Sequence, residues 1–190
     1  MFLKKIQEVA PLYYVSGNHE FWSRNINSIK TVFKEYGVKI LENNYEEVII
    51  NGGKFIIGGV DDPDIVAYER GNYDWAGEMY NTFSKLKNRP EYKIFLSHRP
   101  ECIELYKKLP VDLVLSGHAH GGQIRIPLLL NGLFAPNQGW FPKYAGGMYL
   151  YTDFIHIVSR GVSFNSRLPR VFNPPEIVVI DIKSNHHIIP

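Results

Sequence analysis

Three apolar, strand-like runs in this chain each break off into a polar string of histidine, asparagine and glycine, and that repetition constrains the fold more than any other feature. Tyr14-Val15 leads into Ser16-Gly17-Asn18-His19-Glu20, Phe95-Leu96 into Ser97-His98-Arg99-Pro100, and Val114-Leu115 into Ser116-Gly117-His118-Ala119-His120-Gly121-Gly122-Gln123. Open α/β sheets collect ligands in the crevice beyond the carboxyl ends of their strands. The three strings are therefore expected to converge, bringing together His19, His98, His118 and His120, four of the seven histidines in the chain.

The segments between these runs read as a layered α/β arrangement. Helical periodicity is expected over residues 1–10, over 25–36 (Ile26, Ile29, Val32 and Phe33 at three-and-four spacing, ending at Gly37), over 75–88 and over 102–109. Strands are expected at 12–15, 38–41, 47–50, 54–60, 92–96 and 111–115, with an Asn51-Gly52-Gly53 hairpin turn between the third and fourth. After Gly121 the chain turns to Gly, Pro, Asn and aromatic residues, a long ordered loop by composition. The closing strands 148–151, 156–159 and 177–182 are expected to add antiparallel to a sheet. The 190 residues, 45% hydrophobic, suffice for one core, and a single domain over 1–190 is expected.

Charge excludes some classes of partner. With 21 Lys plus Arg against 19 Asp plus Glu and a net charge of +2, the chain has no broad electrostatic footprint for nucleic acid or anionic lipid. No signal peptide or membrane span is legible, because the most apolar later stretch, residues 126–134, is interrupted by Pro127, Asn131 and Gly132. Cys102 is expected to be a buried structural thiol, and as the only cysteine it forms no internal disulfide.

Imidazole and carboxamide oxygen, with carboxylate, suit borderline divalent ions such as manganese, iron or zinc. Gly117, Gly121 and Gly122 around the His118–His120 pair permit close backbone approach. In an extended loop His118 and His120 would face the same side and reach two neighbouring ions.

On these residues the chain resembles the calcineurin-like metallophosphoesterases: Gly17-Asn18-His19-Glu20, His98 and Gly117-His118-Ala119-His120 match the third, fourth and fifth motif blocks. Gly121-Gly122-Gln123, Ala135-Pro136-Asn137-Gln138-Gly139, Val158-Ser159-Arg160-Gly161 and Pro175-Glu176-Ile177-Val178-Val179 resemble the bacterial branch that is often membrane-associated. The resemblance implies a four-layer α/β/β/α sandwich lacking its N-terminal portion, since the Asp-x-His and Gly-Asp-x-x-Asp blocks are absent from the chain. It also implies a two-metal hydrolase of phosphodiesters or phosphomonoesters, lipid-linked esters among them, acting by attack of a metal-bound hydroxide. Asn18, His98 and His118 would ligate one metal, His120 would contribute to the other, and His19 would be the general acid. Gln123 and Arg160 are candidate substrate contacts. Without the first two blocks the chain alone is expected to hold at most one metal tightly, and a catalytically inactive metal-binding remnant is the alternative. The resemblance leaves the compartment open, with membrane association expected for a complete protein and solubility for this chain.

Four further features invite blander readings. Asp61-Asp62-Pro63-Asp64 reads first as a turn. His156 is expected to be structural and the His186-His187 pair solvated. The Trp140-Phe141-Pro142-Lys143-Tyr144 stretch is expected to pack on the sheet, although contact with lipid or with an apolar substrate is the alternative.

Overall fold

The computed structural model describes residues 2–163 and 169–183; the His186-His187 pair lies outside them. The chain begins with α1 (Phe2–Ile6), the two-residue strand β1 (Tyr13–Tyr14), a one-turn helix α2 (Asn18–Trp22), α3 (Ile26–Glu35) and β2 (Lys39–Ile40). It continues through β3 (Asn44–Ile50), β4 (Gly53–Gly59), α4 (Ile65–Tyr68), α5 (Trp75–Phe83), β5 (Tyr92–Leu96), α6 (Ile103–Tyr106) and β6 (Leu113–Ser116). The last strands are β7 (Phe134–Ala135), β8 (Gly139–Trp140), β9 (Gly147–Leu150) and β10 (Ile155–Val158).

Six strands form one mixed sheet in the order β3-β4-β5-β6-β10-β9, and β1 pairs with β2 in a separate parallel ribbon. β4, β5, β6 and β10 run parallel, while β3 and β9 are antiparallel edges. The Asn51-Gly52 turn closes the β3–β4 hairpin with φ of +49° and +81°, the positive pair that a two-residue hairpin loop requires. Parallel pairing needs a crossover connection. Helical segments supply it between β4, β5 and β6, and the long excursion 117–154 supplies it between β6 and β10.

Ile56, Phe95, Val114 and Val158 from the four central strands are buried under Met79 and Phe83 of α5 and Ile103 and Tyr106 of α6. Phe83 meets Phe95 edge-on at 4.9 Å between ring centroids, and Tyr106 sits 5.4 Å from Phe95. On the other ribbon Tyr14 packs edge-on against Phe33 of α3 at 4.6 Å, holding β1 against that helix. The α/β sandwich expected from sequence is thus present.

Two details differ from the sequence reading. The strand over 155–158 pairs antiparallel with β9 as expected but parallel with β6, because the 117–154 excursion brings the chain back in the same direction. Residues 177–182 form no strand: Ile177 and Val179 are exposed and their neighbours partly covered, the alternation of a strand, yet among the described residues no neighbouring backbone offers a ladder. Cys102 is half-buried and its thiol is pushed up to about 11 by burial, as expected of an inert cysteine.

His156 lies at the centre of the β10–β6 joint, fully buried within 6.2 Å of the rings of Tyr106, Tyr144 and Tyr149. Its Nε2 pairs with the Ser116 hydroxyl at 3.0 Å, and burial lowers its pKa to about 4. A histidine lowered in the folded state is neutral there, so its contribution is fully present above about pH 6.5 and is lost as pH falls toward 4. The unfolding free energy from denaturant titrations should fall by up to about 3 kcal/mol between pH 7 and 4.5 through this residue, and His156→Phe should flatten that slope.

Candidate metal centre

Because β4, β5, β6 and β10 are parallel neighbours, the loops following them open on one edge of the sheet: residues 60–64, 97–99, 117–123 and 159–163. Gly17-Asn18 reaches the same edge from β1. Asn18 opens α2 instead of lying in a loop, and the Gly17 N–H donates to Glu20 Oε2 at 2.9 Å across that first turn. A Cβ on Gly17 would stand 2.9 Å from the His98 ring, so only glycine lets this imidazole lie against the strand end.

Three side chains meet there. His98 Nε2 is 3.0 Å from Asn18 Oδ1, His118 Nδ1 is 3.1 Å from that same oxygen, and His118 Nδ1 is 3.2 Å from His98 Nε2. Asn18 and His118 are buried, and His98 is partly so. The far side of His118 bears on its tautomer. Asn137 Oδ1 accepts from Arg99 Nη1 at 2.5 Å and lies 2.8 Å from His118 Nε2, nearer than the Arg99 Nη1 donor at 3.3 Å, and this closer acceptor favours a proton on His118 Nε2. His118 Nδ1 is therefore bare. Three acceptor atoms then share at most one N–H, that of His98, a deficit that a cation removes. Two ligands about 2.1 Å from one ion at right angles stand about 3.0 Å apart, which is the spacing of this triangle. The donor set fits a divalent cation of the borderline class. Among the described residues no three His, Cys, Asp or Glu side chains make such a cluster, since the triangle contains two imidazoles and one carboxamide.

Burial, reinforced by His118 and Arg99, lowers the pKa of His98 to about 3, and burial is also the main cause of the lowered values of His118 and His120. All three are neutral and able to ligate at neutral pH. His118, His120, Gln123 and Asn137 all take left-handed backbone conformations, with φ between +49° and +63°, strain that persists only where surroundings impose it.

Asn173 Nδ2 holds the carbonyls of His120 and Gln123, and an ion-pair brace holds Asn137. Arg99, 4% exposed, donates to both oxygens of Asp62 at 2.6 and 2.8 Å and to Asp64 at 2.8 Å. Burial by itself would lower the pKa of this guanidinium, but the two carboxylates overcome it and raise it. Asp61 accepts from Ser16 at 2.5 Å and from Lys30 at 2.9 and 3.0 Å, tying α3 and the β1 end to the same loop. Asp61, Asp62 and Asp64 are thus engaged by these partners. Asn137 was a candidate for ordering the site and Asp61–Asp64 for lying near it, but Arg99 as the partner joining them escaped sequence reasoning; the available clue was that the Asp61–Asp64 and Ser97–Arg99 strings follow adjacent strands.

The other expected residues fall as follows. His19, His98, His118 and His120 line one cavity of about 660 Å³, together with residues 159–163, Arg160 among them. His19 is exposed at its rim, with its ring 5.0 Å from Trp22. His120 is turned away from the triangle, its Nδ1 paired with Ser163 Oγ at 2.9 Å. Arg160 is held by Glu176 through Nε at 2.7 Å. Gln123 is not among the cavity-lining residues; its carbonyl accepts from Asn173 Nδ2 at 3.1 Å and from the Val171 N–H.

A parallel-centred α/β sheet with a histidine-lined cavity at its carboxyl edge, and a cation-ready triangle within it, defines the class. The calcineurin-like phosphoesterase profile matches residues 1–122, and this chain belongs to that family. It is 33% identical over 187 residues to the metallophosphoesterase YkuE of Bacillus subtilis, covering 97% of this chain and 60% of that protein. It is 27% identical over 182 residues to the phosphodiesterase YaeI of Escherichia coli, covering 95% and 61% respectively. The chain thus spans about 60% of the length of these relatives. Among solved structures, the NAD nucleotidase NadN of Haemophilus influenzae shares the fold with a TM-score of 0.50 at 15% identity, over 85% of this chain and 30% of that one.

Asn137→Gly keeps the left-handed backbone but removes the acceptor that orients His118. Calorimetric titration with Mn²⁺ should show a ten- to hundredfold weaker affinity, with a lowered melting temperature because the buried Arg99 loses the same acceptor. Gly17→Ala should weaken binding in the same assay by displacing His98. Elemental analysis of the 190-residue chain should return no more than one tightly held ion.

Proposed function

We propose that this chain is the cation-holding part of a phosphoesterase that hydrolyses a phosphodiester or phosphomonoester, lipid-linked esters included, within the 660 Å³ cavity. The observation that carries this reading is the triangle of Asn18 Oδ1, His98 Nε2 and His118 Nδ1, short of protons and spaced for a divalent ion. These three side chains would hold one ion of manganese, iron or zinc, and His120 would contribute to a second. Among the described residues no carboxylate joins the triangle, so a second ion would need oxygen ligands beyond those gathered here.

When bound, such ions neutralise charge on the phosphoryl oxygens and lower the pKa of water. The chain's own groups do the rest. Arg160, oriented by Glu176, faces the cavity as a partner for a phosphate oxygen, while Gln123 stays outside the lining in this conformation. His19, exposed and lining the same cavity, would give a proton to the departing ester oxygen as the P–O bond breaks and water's oxygen bonds to phosphorus. Family membership and the name of the phosphodiesterase relative support the same reaction class. Among the described residues no helix is long and apolar enough to cross a membrane.

Turnover of a chromogenic phosphodiester with Mn²⁺ tests the reading. His118→Ala should lower turnover at least about a hundredfold together with metal affinity. His19→Ala should lower kcat by about 10²–10⁴-fold with metal affinity retained. Unchanged turnover in His118→Ala would reject the assignment.

A further inference from the structure

The three tryptophans of the chain sit in three different settings. Trp140 stands 68% exposed against Phe134, and Phe141 is exposed as well, so packing on the sheet accounts for only part of the 140–144 stretch. The other two both donate to the loop that follows β4. Trp75 Nε1 reaches Asp61 O at 2.8 Å from a buried position, and Trp22 Nε1 reaches Asp64 Oδ2 at 2.6 Å from a half-exposed one. A buried indole N–H needs a protein acceptor, which explains the first bond. Trp22, 51% exposed, could turn its N–H to water instead, so its bond to Asp64 asks for another reason.

That reason lies in its neighbour. Trp22 closes α2 three residues after His19, a spacing that puts both rings on the same side of the turn. Their centroids are 5.0 Å apart with the planes tilted by 40°. Among the described residues the His19 imidazole makes no hydrogen bond, and its ring contact is with Trp22. A single helical turn holds weakly by itself. Buried Phe21 anchors one side of it, and Asp64 anchors Trp22 on the other. Asp64 is fixed in turn: its Oδ1 accepts from Arg99 Nη2 at 2.8 Å, and its backbone N–H donates to Asp62 Oδ1 at 3.0 Å. Nη1 of the same guanidinium donates to Asn137, whose Oδ1 lies against His118. One arginine thus reaches the ligand triangle through Asn137 and the cavity rim through Asp64 and Trp22.

We propose that Trp22 is a positioning residue for His19, holding the imidazole at the rim of the cavity so that proton donation to the departing ester oxygen starts from one ring orientation. The inference rests on the hydrolytic role proposed for His19 and adds the residue that acts through it. An exposed imidazole without support samples several staggered rotamers. Misplacing a reacting group by about 1 Å costs up to about 10²-fold in rate. Trp22 is not among the residues that line the cavity, so it works on His19 and not on the ester.

The test is a double-mutant cycle on turnover of a phosphodiester with Mn²⁺, with far-UV circular dichroism confirming that each variant is folded. Trp22→Ala should lower kcat about ten- to a hundredfold, with KM and Mn²⁺ affinity within about twofold of the parent. Trp22→Phe keeps a ring without the N–H and should fall between the two; it carries the same comparison if the alanine variant does not fold. In a His19→Ala background, Trp22→Ala should cost no more than about twofold, since nothing is left to position. Independently of turnover, nuclear magnetic resonance should show the His19 ring protons losing the ring-current shift of the indole in Trp22→Ala. Four results would overturn the inference: an unaltered His19 resonance, a kcat equal to that of the parent, an equal loss in both backgrounds, or a raised KM in place of a lowered kcat, which would make Trp22 a substrate contact. Unchanged turnover in His19→Ala would instead remove the proton donor on which the inference rests. A loss in His19→Ala with none in Trp22→Ala would refute the positioning alone.

Discussion

Everything at the sheet edge depends on one buried guanidinium. Arg99 lies between two carboxylates on one side and the carboxamide of Asn137 on the other, linking the loop after β4 to the long excursion after β6. Burying a charge is costly unless every one of its partners is in place. The brace therefore holds as a whole, and the orientation of His118 is inherited from it. Without an acceptor for its Nε2–H the imidazole would be free to choose the other tautomer or to rotate, and the lone pair aimed at Asn18 and His98 would be lost.

Strand order explains why such distant residues can cooperate. Asp62, Arg99 and His118 are separated by long stretches of sequence, but β4, β5 and β6 are successive parallel strands, so the residue that leaves each one arrives at the same edge. Strain and close approach finish the arrangement. Gly17 admits the His98 ring, and four non-glycine residues around the site hold positive φ because their neighbours leave them no other course. Preorganisation of this kind means that the ligand atoms are already gathered before any ion arrives.

Much of this was legible in the residues. The three apolar runs ending in polar strings marked the strands, the edge and three of the side chains that meet there, since the hydrophobic period and the position of histidine relative to a strand end are local facts. The β3–β4 hairpin was equally plain, because Asn-Gly with β-rich flanks has few other uses. What sequence could not convey was pairing at a distance. The Asp-Asp-Pro-Asp string reads locally as a turn, and its engagement with Arg99 and Lys30 appears only once β4 and β5 are neighbours. His120 adds a second lesson of locality: it lines the same cavity as His118, but each of the pair sits at positive φ and the chain tightens into a short 3-10 turn at His120, whose Nδ1 pairs with Ser163. The run 177–182 has strand composition without a neighbour to pair with, and composition is silent about neighbours.

The excursion between β6 and β10 carries two things at once. Near one end it lends Asn137 to the imidazole that points at the triangle, and near the other it displays a leucine-tipped turn to the outside. The two are joined by backbone hydrogen bonds through Leu133, which donates to Gly122 and accepts from Phe141. The outer turn and the loop that holds the inner histidine thus belong to one length of chain, pinned at Leu133, and neither can be rebuilt without regard to the other.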